Sequence, residues 1–208
     1  MKRFTFILWH WLHVANPRRT EVGSLQGESL CLVAKEIIME RFTNSIRNNI
    51  ETENWYGALF MALTMADICG KISYPDIEHS GPRYKKWFDE NLAEINKSNI
   101  MGNEVVFLTA ADCWALRCSL LHAGTDDITE QRAQEVLEKF EFTTLGMHRI
   151  HINNILTLNV AKFCEEICEA VEAWYKPLQT DPDFQKKIAT IIKVKTKPFS
   201  PTPGVQFG

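Results

Sequence analysis

Arg117 and His122 are the residues of this chain whose types and spacing most readily suggest chemistry. Arginine presents a planar fork of N–H donors that fits a phosphate, and histidine gains or loses a proton near neutral pH. Together they provide a phosphate clamp and a proton carrier, a combination suited to cleaving a phosphodiester. A second pair of similar spacing, Arg3 and His10, lies in a terminal segment of different composition.

Arg117 and His122 fall at the end of a predicted helix. Thr109 is a good N-cap, Asp112 favours the first turn, and Gly124 suits the left-handed position that ends a helix, which together predict a helix over residues 110–121. Five residues on an ideal helix separate two side chains by about 140° and about 7.5 Å. We therefore expect the two groups to meet only if the helix ends near residue 121 or if a symmetry-related chain completes the site.

Apolar residues at helical spacing predict three earlier helices. The first runs from about residue 28 and ends in the polar stretch 48–54, the second runs from 55 to about 69, and a short third helix carries the apolar residues between 84 and 92. Gly70 is predicted to stop the second of these helices, and residues 97–104 to form a loop. Asp67 falls beside the buried face of the second helix. A carboxylate in that position requires a partner.

The sequence after residue 124 predicts one helix capped by Thr129 and reaching Phe140, followed by a β-hairpin of residues 140–144 and 149–155. A long final helix is predicted from apolar residues three or four apart, namely Leu156, Val160, Phe163, Ile167, Val171 and Trp174. Residues 181–194 predict one more amphipathic helix. The expected fold class is thus all-α: a helical bundle with a small β-hairpin before the last long helix.

Composition is typical of a globular protein: 208 residues, 45% hydrophobic and 24% charged. We interpret residues 1–27 as an N-terminal appendage, residues 28–176 as the helical domain, and residues 177–208 as a C-terminal amphipathic segment and tail. The net charge of −3 gives no global attraction to nucleic acid, so RNA binding requires a local patch.

The apolar segments are too short for a membrane protein, because none reaches the roughly 20 residues that span a bilayer. The apolar opening of the chain is interrupted by His10 and His13 and lacks a small-residue cleavage site. Six cysteines lie in helix-like apolar segments, which favours reduced, mostly buried thiols. We therefore expect a cytoplasmic protein without membrane contact.

Cys164 and Cys168, with His148 and His151 upstream, formally make a Cys2His2 zinc set. A cysteine pair inside one helix is more typical of packed thiols, so neither a metal nor another cofactor is expected. Five lysines between residues 186 and 197 form a basic cluster. We interpret it as a solvated helix face, with a nucleic-acid contact as the alternative.

An Arg-x4-His motif at the end of an internal helix of a bundle resembles the HEPN superfamily, small helical domains that include RNA-cutting toxins and antiviral effectors. The residues that carry the resemblance are Leu116, Arg117, Leu120, Leu121, His122 and Gly124. The residue after the arginine is commonly polar in that family but is Cys118 here, and Ser119 supplies a hydroxyl one position later. Residues 55–174 are also similar to a group of uncharacterised bacterial and phage proteins, which implies no function.

The HEPN resemblance implies metal-independent RNA cleavage, in which the ribose 2′-hydroxyl attacks the adjacent phosphate. His122 would then act as general acid or base, and Arg117 would hold the phosphate and stabilise its developing charge. The resemblance also implies a homodimer, an RNA substrate, and an antitoxin or phage-defence partner.

A structural interpretation of the same residues stands beside the catalytic one. Arg117 would form an ion pair with Asp67 across two packed helices, and His122 would interact with the dipole at the helix C-terminus. The protein would then be a non-catalytic helical module that binds protein or nucleic acid. Asp67 is compatible with both interpretations, because an ion pair also orients a catalytic arginine.

Overall fold

The structure, a computed structural model, describes residues 38–131 and 134–208. Over these residues the chain forms six α-helices: α1 (Ile38–Glu51), α2 (Trp55–Ser73), α3 (Ser80–Asn91), α4 (Ala110–Ala123), α5 (Val160–Tyr175) and α6 (Pro182–Ile188). Single 3-10 turns follow α3 and α5, at Glu94–Asn96 and Lys176–Leu178. The Arg3 and His10 pair and the predicted start of the first helix lie outside the described residues.

Seven strands form three small sheets in the same part of the chain: β1 (Lys97–Ile100), β2 (Asn103–Val106), β3 (Lys139–Thr143), β4 (Ile150–Ile152), β5 (Ile155–Asn159), β6 (Phe199–Thr202) and β7 (Val205–Phe207). Strands β1 and β2 form an antiparallel hairpin, as do β6 and β7. The central sheet has the order β3-β5-β4, with β5 parallel to β3 and antiparallel to β4.

Helix α2 contributes buried residues along its whole length and packs against α1, α3, α4 and α5. Small residues recur on it every four positions, at Ala58, Ala62, Ala66 and Gly70. At Gly70 an added Cβ would lie 2.8 Å from the backbone oxygen of Arg83. The backbone of α3 therefore approaches α2 at Gly70 more closely than a residue with a side chain would allow. The prediction that Gly70 stops the helix is therefore wrong. The glycine serves helix packing instead.

The predicted all-α fold class is wrong, because the described chain mixes helices with three sheets. One reason is that the segment predicted as a loop at residues 97–104 pairs as the β1–β2 hairpin. Met101 and Gly102 both have positive φ, 54° and 85°, which is the backbone of a tight two-residue hairpin turn. A second hairpin, β6–β7, lies in the segment interpreted as a C-terminal tail.

The predicted β-hairpin before the last long helix is also wrong in its pairing. Strand β5 separates β3 from β4, and Phe140 on β3 pairs with Leu156 on β5. Leu156 thus belongs to a strand and not to the last helix. The helix begins later because the Asn159 side chain accepts from the backbone N–H of Lys162 and caps it.

The helix predicted from Thr129 to Phe140 is not formed by the described residues of that segment. The backbone N–H and hydroxyl of Thr129 both donate to the Asp127 carboxylate, in a turn that is not followed by a helix in the described residues. The Asp112 carboxylate, on α4, accepts the backbone N–H groups of Glu135 and Val136. A long-range side-chain contact therefore replaces the local helical hydrogen bonds.

Two other predictions concern the end of the chain and the membrane. Helix α6 is shorter than the predicted 181–194, although Asp181 caps it as an N-terminal signal should. No helix within residues 38–131 and 134–208 is both long enough and apolar enough to cross a bilayer. All five described cysteines are free thiols and four of them are buried, as the sequence predicts.

Candidate active site at the end of helix α4

Helix α4 carries both motif residues, and its capping residues Thr109 and Gly124 act as predicted. The Thr109 side chain accepts from the backbone N–H of Asp112, and Gly124 closes the helix in the left-handed conformation with φ 69°. The Gly124 N–H donates to the Leu120 carbonyl at 3.0 Å. The helix nevertheless runs to Ala123, two residues past its predicted end.

Arg117 is anchored to α2 by an ion pair. Its Nε donates to Oδ2 of Asp67 at 2.7 Å, across the packed helices α2 and α4. Both side chains are mostly shielded, with exposed fractions of 20% and 19%. Asp67 therefore has the partner that its position on the buried face requires, and the ion pair offered by the structural interpretation is present.

His122 lies against the other end of the same guanidinium. Nη1 of Arg117 is 3.2 Å from Nε2 of His122, and the imidazole is exposed. A guanidinium has no lone pair to offer, so Nε2 accepts and the ring carries its proton on Nδ1. The two groups meet within one chain although α4 does not end early. The length of the arginine side chain closes the gap.

Aromatic residues support the guanidinium from α3 and α4. The Arg117 guanidinium carbon lies 5.2 Å from the ring centre of Trp114, a cation–π distance. The Trp114 ring in turn contacts Tyr84 of α3 at 5.1 Å between centroids. Gly81 allows this packing, because an added Cβ would lie 3.2 Å from the indole. Trp114, one helical turn before Arg117, is a site residue that the motif alone does not reveal.

The neighbouring residues Cys118 and Ser119 take different positions. Cys118 is half-buried beside Arg117; burial raises the pKa of its thiol and Arg117 opposes that change. Ser119 is fully buried, and its hydroxyl donates to the Asp127 carbonyl at 2.6 Å. The Ser119 hydroxyl therefore holds the loop after α4 and is used there.

Burial and charge act in opposite directions on Asp67. Burial raises the pKa of the Asp67 carboxyl above its ordinary value, and the cations of Arg117 and, more weakly, Arg83 oppose this rise. The contact with Arg117 is short and the guanidinium is permanently charged, which favours the carboxylate form in the pair.

The arrangement can bind an anion next to a proton-transfer group. A guanidinium has five N–H donors, and the contacts with Asp67 and His122 use two of them. The remaining donors suit phosphate oxygens, and the exposed imidazole lies within reach of the same ligand. None of the described residues is hydrogen-bonded to Nδ1 of His122, whose one described contact is at Nε2.

A second arginine, histidine and carboxylate cluster occurs where the sequence suggests a zinc set. The Glu166 carboxylate accepts from both Nη atoms of Arg149, at 2.8 and 2.7 Å, and lies 3.2 Å from Nε2 of His148. His151 is exposed on β4. Among the described residues, no three His, Cys, Asp or Glu side chains are grouped to hold a metal.

A cleft of about 640 Å³ opens at the same end of α4. Four separate segments line it: Trp55, Tyr56 and Leu59 of α2, Leu120 and residues 124–126 around the end of α4, residues 142–144 at the end of β3, and Val160 of α5. Because these segments are distant in sequence, no local pattern predicts the cleft. A second cavity, of about 550 Å³, lies at the opposite end of α4 beside Thr109.

No family model matches the chain, and no curated protein or solved structure is significantly similar to it.

Proposed function

We propose that the protein is an endoribonuclease in which Arg117 and His122 act on one phosphodiester. The observation that supports this most strongly is the 3.2 Å contact between the exposed imidazole of His122 and the guanidinium of Arg117. The Nε of that guanidinium donates to Asp67, which fixes its position. A phosphate-binding group and a proton-transfer group thus share one helix end. The likeness of the Arg-x4-His motif to HEPN ribonucleases supports the same reaction class.

The reaction would use the RNA's own 2′-hydroxyl as nucleophile. A bond forms between O2′ and phosphorus while the bond from phosphorus to O5′ breaks, giving a 2′,3′-cyclic phosphate and a 5′-hydroxyl. When the phosphate takes the Arg117 donors, Nε2 of His122 is released to accept the proton of the 2′-hydroxyl. Arg117 stabilises the charge that develops on the phosphate, and O5′ takes its proton from water or a second histidine.

A second copy of the chain would provide that second histidine, so the proposal includes a homodimer. It also includes a cytoplasmic location and an antitoxin or phage-defence partner that restrains the nuclease. Light scattering on the purified protein tests the dimer directly. A monomer at micromolar concentration would remove the second histidine from the scheme but leave water as the proton source.

The decisive experiment is RNA cleavage in the presence of EDTA. We expect His122→Ala to lower the cleavage rate by about 10²–10⁴-fold, the usual contribution of a general acid or base. Arg117→Lys should also lower it, because lysine lacks the planar fork. His151→Ala is the matched control, since His151 is an exposed histidine on β4 that takes no part in the described contacts of Arg117 and His122 and does not line the cleft.

A non-catalytic interaction module is the second candidate, and the shielding of Arg117 favours it. Asp67 and Trp114 hold the guanidinium in place as they would in a purely structural ion pair. This candidate predicts no cleavage by the parent protein, or equal cleavage by the parent, His122→Ala and Arg117→Lys. Either result would remove the ribonuclease proposal.

A further inference from the structure

The cleft beside α4 has aromatic walls that are not fully packed. Tyr56 is 77% exposed, and Trp55 and Phe142 are half-buried along the same cleft. Flat, accessible aromatic rings are the surfaces on which proteins stack unpaired nucleobases. The volume of about 640 Å³ is ample for one base and its ribose.

A carboxylate without a partner lies among these aromatic residues. Asp126 lines the cleft and is half-buried, and its side chain makes no hydrogen bond or ion pair with any described residue. Its backbone is held in place, because the Asp126 carbonyl accepts from the N–H of Phe140. An ionised carboxylate only accepts hydrogen bonds, so its ligand must bring donors.

Guanine is the base whose donors fit a carboxylate best. Its Watson–Crick edge presents two adjacent groups, N1–H and the N2 amino group, which can donate in parallel to two carboxylate oxygens. Uracil presents one such donor, and adenine and cytosine present an amino group beside an acceptor nitrogen that would face the carboxylate. An aromatic cleft containing a free aspartate therefore selects guanine.

The cleft lies close to the proposed reaction site. Gly124 and Thr125, which line it, follow His122 by two and three residues. Two residues span at most about 7 Å, which is comparable with the length of one nucleotide. A base in the cleft and a phosphate at Arg117 can therefore belong to adjacent positions of one RNA strand.

From these observations we infer that the cleft is a guanine-binding subsite for single-stranded RNA, with Tyr56 stacking on the base and Asp126 accepting from its Watson–Crick edge. This inference rests on the proposed function, because it places the guanine next to the phosphate that Arg117 and His122 bind.

Binding of short RNAs to His122→Ala protein tests the inference without cleavage. The probes are two fluorescein-labelled RNA pentamers, one of adenines only and one with a central guanine, measured by anisotropy. We expect the guanine pentamer to bind about tenfold more tightly, and the added change Asp126→Asn to remove that difference. Tyr56→Ala should weaken both pentamers about tenfold.

Matched controls are Asp76→Asn and Phe207→Ala, which alter an exposed aspartate and an exposed aromatic residue that do not line the cleft. Thermal unfolding of each variant verifies that it is folded. Equal affinity for the two pentamers, or full affinity after Asp126→Asn and Tyr56→Ala, would overturn the inference.

The inference and the proposed function fail in different ways. If unmodified protein cuts RNA without base preference and Tyr56→Ala has no effect, the nuclease stands and the guanine subsite falls. If the protein binds the guanine pentamer through Tyr56 and Asp126 but leaves RNA intact, the subsite stands and the nuclease falls.

Discussion

Two clusters of this protein contain the same three kinds of side chain in different order. In the Asp67 cluster (Asp67, Arg117 and His122) the guanidinium lies in the middle, between the carboxylate and the imidazole. In the Glu166 cluster (Glu166, Arg149 and His148) the carboxylate lies in the middle and contacts both other groups. Residue types alone therefore do not determine how the three groups of such a cluster are connected.

The order of the three groups in each cluster decides which of their donor and acceptor atoms remain free to bind a ligand. In the Glu166 cluster Nδ1 of His148 accepts from the Asn159 N–H and Nε2 faces Glu166, so both ring nitrogens are used. His148 is also 10% exposed, whereas His122 is exposed and uses one nitrogen. A saturated, shielded cluster stabilises the fold. The Asp67 cluster keeps an open imidazole and unused guanidinium donors.

The largest effect on stability should come from Glu166→Gln. Glutamine presents an amide N–H₂ where Arg149 needs an acceptor, and it removes the charge that compensates a shielded guanidinium. We expect the free energy of unfolding to fall by about 2–3 kcal/mol, below the range for fully buried pairs because Glu166 is partly exposed. Urea unfolding followed by circular dichroism measures it.

Glu104→Gln, at an exposed position of β2, is the control for Glu166→Gln. RNA cleavage per folded molecule should be unchanged in Glu166→Gln, since the Glu166 cluster has no place in the proposed reaction. A stability loss no greater than that of the control would show that the carboxylate is dispensable and that the two clusters do not differ as described.

Asp67→Asn should have an intermediate effect, on both the stability of the fold and the rate of RNA cleavage. The amide oxygen can still accept from Nε of Arg117, but the compensating charge is lost, so we expect a stability loss of about 1–2 kcal/mol. Cleavage per folded molecule should fall about tenfold because the guanidinium is held less firmly.

Asp76→Asn is the control for the charge change at Asp67, because Asp76 is exposed in the loop after α2. Urea unfolding and the cleavage assay are read on the same preparations. Lower stability with unchanged cleavage would assign Asp67 a structural role alone and make the two clusters equivalent.

The smallest expected effect is on the way in which stability changes with pH. Burial lowers the pKa of His148 below its ordinary value, although Glu166 acts in the opposite direction. The unfolded chain therefore binds this proton more readily than the folded one. The stabilising contribution is complete above about pH 6.5 and is lost as the pH falls through the lower pKa of the folded state.

His148→Gln should accordingly flatten the decline in stability between pH 7 and pH 5, by less than about 1 kcal/mol. Urea midpoints at several pH values measure this slope. The same slope for His148→Gln and the unmodified protein would show that His148 does not titrate with folding.

Helix α4 was predictable because its signals are local. Thr109, Asp112 and Gly124 define its ends through contacts within a few residues, and the structure contains those contacts. The need of Asp67 for a partner was likewise evident from its place on a buried helix face. Its pairing with Arg117 follows from α2 and α4 being neighbours.

The central sheet, and the irregular backbone found where a helix was wrongly predicted at residues 129–140, depend on contacts between residues distant in sequence. Asp112 captures the N–H groups of Glu135 and Val136 more than twenty residues away, which no helix propensity can anticipate. The Glu166 cluster also lacked a sequence signal, because Arg149 reaches Glu166 from a left-handed backbone position with φ 57°. The cleft, assembled from four segments that are distant in sequence, could not be predicted at all.

The loop after α4 is attached to that helix at two points. The Ser119 hydroxyl donates to the Asp127 carbonyl, and the Asp112 carboxylate accepts from the backbone N–H groups of Glu135 and Val136. Opening this loop therefore means breaking contacts with the helix, so the two should exchange their amide hydrogens as one cooperative unit. Small local fluctuations would then leave the spacing between cleft and motif intact. An RNA strand that binds as proposed would meet a preorganised surface, held by contacts near both ends of one helix.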